Sequence, residues 1–240
     1  MSQAMPLWDV LISMIDRPGK ALADLAAFPR WRWLLPVVLI IAALAASLAL
    51  SAPLLAVQAR QVLAEQMARV PAEQARMLEA QLAALQKPEV VMGAAFASAL
   101  LGLLVGWLLQ AIVLYFGILI AGSELNFKSV LAVMPWLSLP FALEFLLQGA
   151  FAATQGHLIV NQGLSYLVSA GKPLEDARNL AYVALGQLTL FRLWHWVLVY
   201  ALLRRAARLT SGSAAALTLI YAVLGVGGQL ALAALGAMAG

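Results

Sequence analysis

Apolar residues run for membrane-crossing lengths in five places along the chain, at about 34–57, 90–121, 129–153, 180–203 and 213–238. A helix rises ~1.5 Å per residue, so about 20 residues cross a ~30 Å hydrocarbon core. The pattern predicts an all-α, polytopic membrane protein with a five-helix transmembrane bundle over 34–240. The second run is longer than one crossing needs and predicts a tilted or protruding helix. The third holds Pro135 and Pro140 and predicts a kinked or locally unwound helix, with its freed carbonyls satisfied by neighbours.

The stretches between the runs have their own periodicity. In 1–33, Leu7, Trp8, Leu11, Ile12, Met14 and Ile15 recur at helical spacing, broken by Pro18-Gly19. This N-terminal amphipathic helix is read either as lying in the lipid interface or as packed on the end of the bundle. Arg30-Trp31-Arg32-Trp33 follows. Tryptophans prefer headgroup depth and arginines snorkel to it, so Trp8, Trp31 and Trp33 are candidate interface anchors. Residues 58–88 turn rich in Gln, Glu, Arg and Ala, with Glu65–Arg69 at the stabilising i,i+4 spacing. They read as an extramembrane helical insert between the first two spans, either a solvated connector or a docking surface for a partner.

Composition agrees with a membrane class. The chain is 64% hydrophobic and 11% charged, against about half and a quarter in soluble domains. There is no cysteine, which removes disulfides and thiolate chemistry. The histidines, His157 and His195, are too few for a histidine-rich metal site, and the sequence implies no cofactor. The net charge of +4 fits topology and lipid headgroups rather than nucleic acid. If all five runs cross, Arg17, Lys20, Arg30, Arg32, Lys128, Arg204, Arg205 and Arg208 share one side. Six basic residues lie on the other, mostly beside acids. Positive charge favours the cytoplasm, so the N-terminus is expected there and the C-terminus outside.

The candidate chemistry lies inside the spans. Arg192 and His195 sit within the fourth run, with Glu144 and Gln148 in the third. A guanidinium at that depth costs roughly 2.5–3.5 kcal/mol on insertion scales. Glu144 is predicted at a similar depth and is the expected ion-pair partner of Arg192. Small residues at four-residue spacing let helix backbones approach closely. Gly102, Gly106, Gly225 and Gly228 are therefore candidate packing positions. No catalytic motif is present, neither His-Glu-x-x-His, Gly-x-Ser-x-Gly nor a P-loop.

Three segments together resemble bacterial members of the Yip1 domain family. They are Trp8 to Pro18 followed by Phe28-Pro29-Arg30-Trp31, then Gly122 to Val133 (GSELNFKSVLAV) leading into Pro135 and Pro140, and then Phe191-Arg-Leu-Trp194 before a small-residue-rich last span. The insert at 58–88 departs from a plain Yip1 chain. The resemblance implies a five-span helical protein of the inner membrane without known catalysis. Eukaryotic relatives act in vesicle traffic with Rab GTPases, and bacterial relatives are associated with export machinery such as ABC-type exporters. The expected function is thus a non-catalytic accessory subunit or modulator of a transport or envelope complex. Its expected partners are the lipid bilayer and a membrane-protein partner such as a transporter subunit, with a homo-oligomer possible. The alternative is a small transporter or channel using Glu144, Arg192 and His195.

Overall fold

The computed structural model describes residues 4–28, 31–67 and 88–239. Ten α-helices follow one another among these residues: α1 (Leu7–Asp16), α2 (Pro18–Ala27), α3 (Leu34–Met67), α4 (Pro88–Ile120), α5 (Phe127–Leu137), α6 (Leu139–Gln155), α7 (Pro173–Arg178), α8 (Leu180–Gly186), α9 (Leu190–Arg205) and α10 (Ser211–Ala239). Short 3-10 turns lie at Trp31–Trp33 and Ser165–Leu167. The insert expected at 58–88 lies mostly outside the described residues. Its first part, 58–67, simply continues α3, which runs through Pro53 without stopping.

Among the described residues four helices are long and apolar enough to cross a membrane: Trp31–Gln61, Glu89–Ile120, Phe127–Gln155 (α5 and α6 together) and Ser211–Leu235. The remaining expected crossing, 180–203, is not one rod. It is α8, seven residues, and α9, sixteen residues, separated by Gln187–Thr189. Local capping explains the break. The Asn179 side chain accepts from Ala181 and Tyr182 N–H to start α8, and Thr189 Oγ1 accepts from Arg192 N–H to start α9. The Leu185 carbonyl accepts from Leu164 N–H and from Leu188 N–H, each at 3.1 Å, which closes α8 in a tight turn. Gly163 makes this approach possible. It sits at φ +54°, and a Cβ there would stand 2.8 Å from the Leu185 and Leu188 carbonyl oxygens.

The centre of the bundle is α5. Its Val130, Val133, Met134, Trp136 and Leu137 are fully buried, as are Leu198, Val199, Leu202 and Leu203 of α9. Asn126 caps α5, its Oδ1 accepting from Ser129 N–H at 2.9 Å. The α5–α6 span is half buried, whereas the α4 and α10 spans are 22% and 17% buried and form the periphery. The α4 turn ends in the Schellman pattern, with Gly122 at φ +79°, Ser123 N–H on Ile118 O and Gly122 N–H on Leu119 O.

Close helix approach falls at different glycines from those expected. A Cβ on Gly149 of α6 would stand 2.7 Å from Ser47 Cα of α3, and one on Gly117 of α4 would strike the Leu217 side chain of α10. Gly102, Gly225 and Gly228 have nothing within 4 Å of such a Cβ, and Gly106 meets only the Gln110 amide of its own helix at 3.7 Å. No neighbouring helix approaches closely at any of these four, and Gly106, Gly225 and Gly228 border an open groove between α4 and α10 instead.

The two helices of the N-terminal segment differ in their burial. α2 buries Ala21, Leu22 and Leu25 against α5 and α9, at the bundle's end. α1 buries Val10 and Met14 but leaves Trp8 73% exposed, with Ile12 and Ile15 on the same face. Trp31 and Trp33 are 62% and 41% exposed. Arg32 differs from the snorkelling expected of it. It is buried, with Nη1 2.6 Å from Asp24 Oδ2 and Nη2 donating to Met5 O at 2.8 Å, while Met5 N–H donates to Asp24 Oδ1 at 3.2 Å. The arginine expected at the headgroups is instead held inside the protein.

At the opposite end, the connection over 156–179 is stapled by buried Asp176. The Ala170 N–H donates to its Oδ1 at 2.6 Å and the Ser169 hydroxyl to its Oδ2 at 2.8 Å. The Ala170 N–H chiefly holds this carboxyl below its ordinary range; burial pushes the other way, and Ser169 adds to the lowering.

Two outcomes follow. Removing one member of the Asp24–Arg32 pair, by Asp24→Ala or Arg32→Ala, is expected to cost on the order of 3–5 kcal/mol, seen as a lower thermal midpoint in detergent. The double variant should lose less than the sum, and strict additivity would rule out a coupled pair. Because the folded carboxyl of Asp176 ionises more easily than an unfolded one, its stabilisation is complete above the ordinary carboxylate pKa of about 4. It is lost as pH falls through the depressed value. Proteolytic nicking within 165–178 should rise below that pH in the native chain, whereas Asp176→Asn should nick readily without that pH step.

Candidate functional site

The site grows from the break between α5 and α6. Pro140 has no N–H, so the Trp136 carbonyl loses its helical donor. Phe141 N–H bonds to Ser138 O at 3.0 Å, which frees the Leu137 carbonyl as well. In an apolar span an unpaired carbonyl costs several kcal/mol. His195 of α9 answers it, with Nδ1–H donating to Leu137 O at 2.8 Å. The other ring nitrogen, Nε2, lies 2.7 Å from the Tyr221 hydroxyl of α10, and the phenol oxygen lies 2.6 Å from the Gln110 side-chain amide of α4. With Nδ1–H given to Leu137 O, a neutral ring accepts at Nε2 from the Tyr221 hydroxyl, and the Gln110 amide, turned end for end, donates to the phenol oxygen. Beside this chain, Trp107 Nε1–H donates to Ser138 Oγ at 2.9 Å, and the Ser138 hydroxyl donates to Met134 O at 3.0 Å. One broken turn is thus tied to α4, α9 and α10.

Gln110, His195 and Tyr221 line one side of a 380 Å³ groove between α4 and α10. Arg192, one turn before His195, opens into the same groove, with its guanidinium carbon 5.4 Å from the centre of the Phe141 ring. That geometry is a cation–π stack. Among the described residues the guanidinium donates no hydrogen bond and lies within 4.0 Å of no carboxylate.

Glu144 and Gln148 face a different hollow of 280 Å³, beneath residues 159–164 and 188–191. The direct Glu144–Arg192 ion pair expected above is therefore not formed, although the two charges act on each other through space. Arg192 takes the Phe141 ring, one turn short of Glu144 on α6, and Thr189 lies beside the carboxylate. The expected cluster of Glu144, Gln148, Arg192 and His195 is divided into two pairs in separate hollows.

Tyr221, Gln110, Ser138 and Trp107 are the functional-site residues that sequence reasoning missed. Gln110 carried a usable signal, as the one amide inside the apolar 90–121 run. Tyr221 carried none, since a tyrosine in a span reads equally well as an interface residue. Among the described residues no three His, Asp or Glu could hold a metal ion. Ser138 Oγ is committed as both donor and acceptor, which leaves it unsuited to attack a substrate. The geometry ties four helices together beside an open groove.

A family model described as the Yip1 domain matches residues 12–234, nearly the whole chain, in agreement with the resemblance of its three quoted segments. No curated protein and no solved structure matches.

Tyr221→Phe removes both bonds at the phenol and strands His195 Nε2 and Gln110. It is expected to cost about 1–3 kcal/mol, read as a lower thermal midpoint of the detergent-solubilised protein. Gln229→Leu, at an exposed position on the rim of the same groove, should leave the midpoint within error.

Proposed function

The chain belongs to the Yip1 domain family of membrane proteins, and from that premise we propose that it is a non-catalytic accessory subunit of a transport or envelope complex in a bacterial inner membrane. The observation that carries this reading is the length of two neighbouring helices. α3 has 34 residues and α4 has 33, about 50 Å each at 1.5 Å per residue. Even at a tilt of 40°, the upper end of the usual range, each covers about 38 Å along the membrane normal, against a core of ~30 Å. Both therefore reach beyond the hydrocarbon core. Arg60 and Gln61 on the projecting part of α3 are exposed and offer a polar face for a partner protein.

In this reading α8 and α9 together make the fifth, broken crossing. α9 alone, at about 24 Å, falls short of the core. Five crossings would put the N-terminus, Lys128, Arg204, Arg205 and Arg208 in the cytoplasm, following the positive-inside tendency, and the C-terminus outside. The transporter alternative has less support, because Glu144 and Arg192 line separate hollows rather than one path.

Photo-crosslinkers at Gln61 and at lipid-facing Leu219, introduced in intact native membranes, test the reading. The expected result is a discrete adduct at Gln61 to one membrane protein that also copurifies in fixed stoichiometry and is released by Arg60→Glu, with none at Leu219. Ion- or proton-driven flux by the purified chain alone, altered by Glu144→Gln, would instead establish the transporter.

A further inference from the structure

The groove between α4 and α10 is unlike an ordinary packing defect. It holds a guanidinium that donates no hydrogen bond and meets no carboxylate among the described residues. A guanidinium has five donors and a standing charge, and in a span it needs an anion or acceptors. No acidic side chain lines the groove, and its walls below Arg192 are apolar, formed by Leu109, Val113 and Leu224. Its mouth is bordered by Gly225 and Gly228, where nothing stands within 4 Å of an added Cβ. Both glycines are exposed and lie within an apolar span, so in a bilayer this part of the groove meets acyl chains.

Depth decides the ligand. Arg192 lies thirteen residues from Arg205 at the end of α9, about 20 Å along the axis, and its side chain can snorkel further toward the nearer headgroup layer. Gln229, eighteen residues beyond Ser211 at the start of α10, stands at about 27 Å on the same groove. Against a ~30 Å core, Gln229 stands about 3 Å and Arg192 about 10 Å inside the far hydrocarbon edge, and snorkelling carries the guanidinium toward that edge, above an apolar slot that ends near the middle of the membrane. We propose that this groove binds one anionic phospholipid, with its phosphate held by Arg192 and Gln229 and an acyl chain laid along Leu109, Val113 and Leu224. Arginine suits this role because its planar fork meets two phosphate oxygens at once. The His195–Tyr221–Gln110 chain forms the floor and needs no contact with the lipid.

The test uses the full chain, delipidated in neutral detergent and titrated with phosphatidylglycerol, phosphatidylcholine or inorganic phosphate while bound lipid is counted by native mass spectrometry. Phosphatidylglycerol should bind saturably at one per chain, at least tenfold more tightly than phosphatidylcholine, with inorganic phosphate neither binding nor competing. Arg192→Gln should erase the preference for the anionic lipid. Gly225→Leu fills the mouth where the fold has room for a side chain, leaves Arg192 in place, and should weaken both lipids together. It keeps the proposal open to refutation should Arg192→Gln misfold. Equal affinity for the two lipids, binding of inorganic phosphate alone, or tight phosphatidylglycerol binding that survives Gly225→Leu would each overturn it.

Discussion

A carbonyl released inside lipid has nowhere to go for a proton except another helix, and the bundle is arranged around that fact. Proline at position 140 breaks the central span at Ser138, and the break exposes the Leu137 carbonyl. In water such a group would be solvated at no great cost. In an apolar span its need for a donor amounts to several kcal/mol, enough to recruit a buried histidine. The histidine in turn requires a partner for its second nitrogen, and so draws in Tyr221 and Gln110. A sequence of polar needs thus ties α10 to α4 and α9, beside the apolar contact that Leu217 makes with α4. Helix association in lipid has little hydrophobic drive, which gives a few well-made hydrogen bonds unusual weight.

The same economy explains why the two intramembrane charges stay apart. A buried ion pair gains Coulomb energy but pays for desolvating both ends. Here Arg192 keeps one face on the Phe141 ring and the rest in an open groove, while Glu144 keeps its own hollow under the 156–189 segment. Neither is sealed in protein. Each therefore remains available to something that enters from outside the chain, which a closed salt bridge would have prevented.

Much of the fold could be read from residue order alone. Run length and apolarity identified the four long spans, because in lipid the backbone must be helical and the length is fixed by the bilayer. The interruption near Pro135 and Pro140 was also legible, since proline's missing donor is a local property. The split of 180–203 was not. It depends on Thr189 and Asn179 acting as caps and on Leu164 reaching the Leu185 carbonyl, and side-chain capping at such positions competes closely with helix continuation. The glycines misled for a related reason. Spacing shows that a face is small but not which way it points, and Gly149 and Gly117, rather than Gly102 and Gly225, turned out to meet a neighbour. Arg32 misled too, because a boundary arginine and a clamping arginine look alike until Asp24, eight residues earlier, is seen to face it.

Met5 touches that clamp twice, once through its amide and once through its carbonyl. Two fastenings at one end remove the freedom of α1 to roll about its own axis. An amphipathic helix floating at a bilayer surface ordinarily chooses its angle by sinking its oily side, and readjusts when the lipid changes. This one has its angle chosen in advance, so Trp8, Ile12 and Ile15 form a keel of fixed bearing. Any torque the surroundings exert on that keel is delivered, through Asp24 and Arg32, into the helices at the bundle's foot.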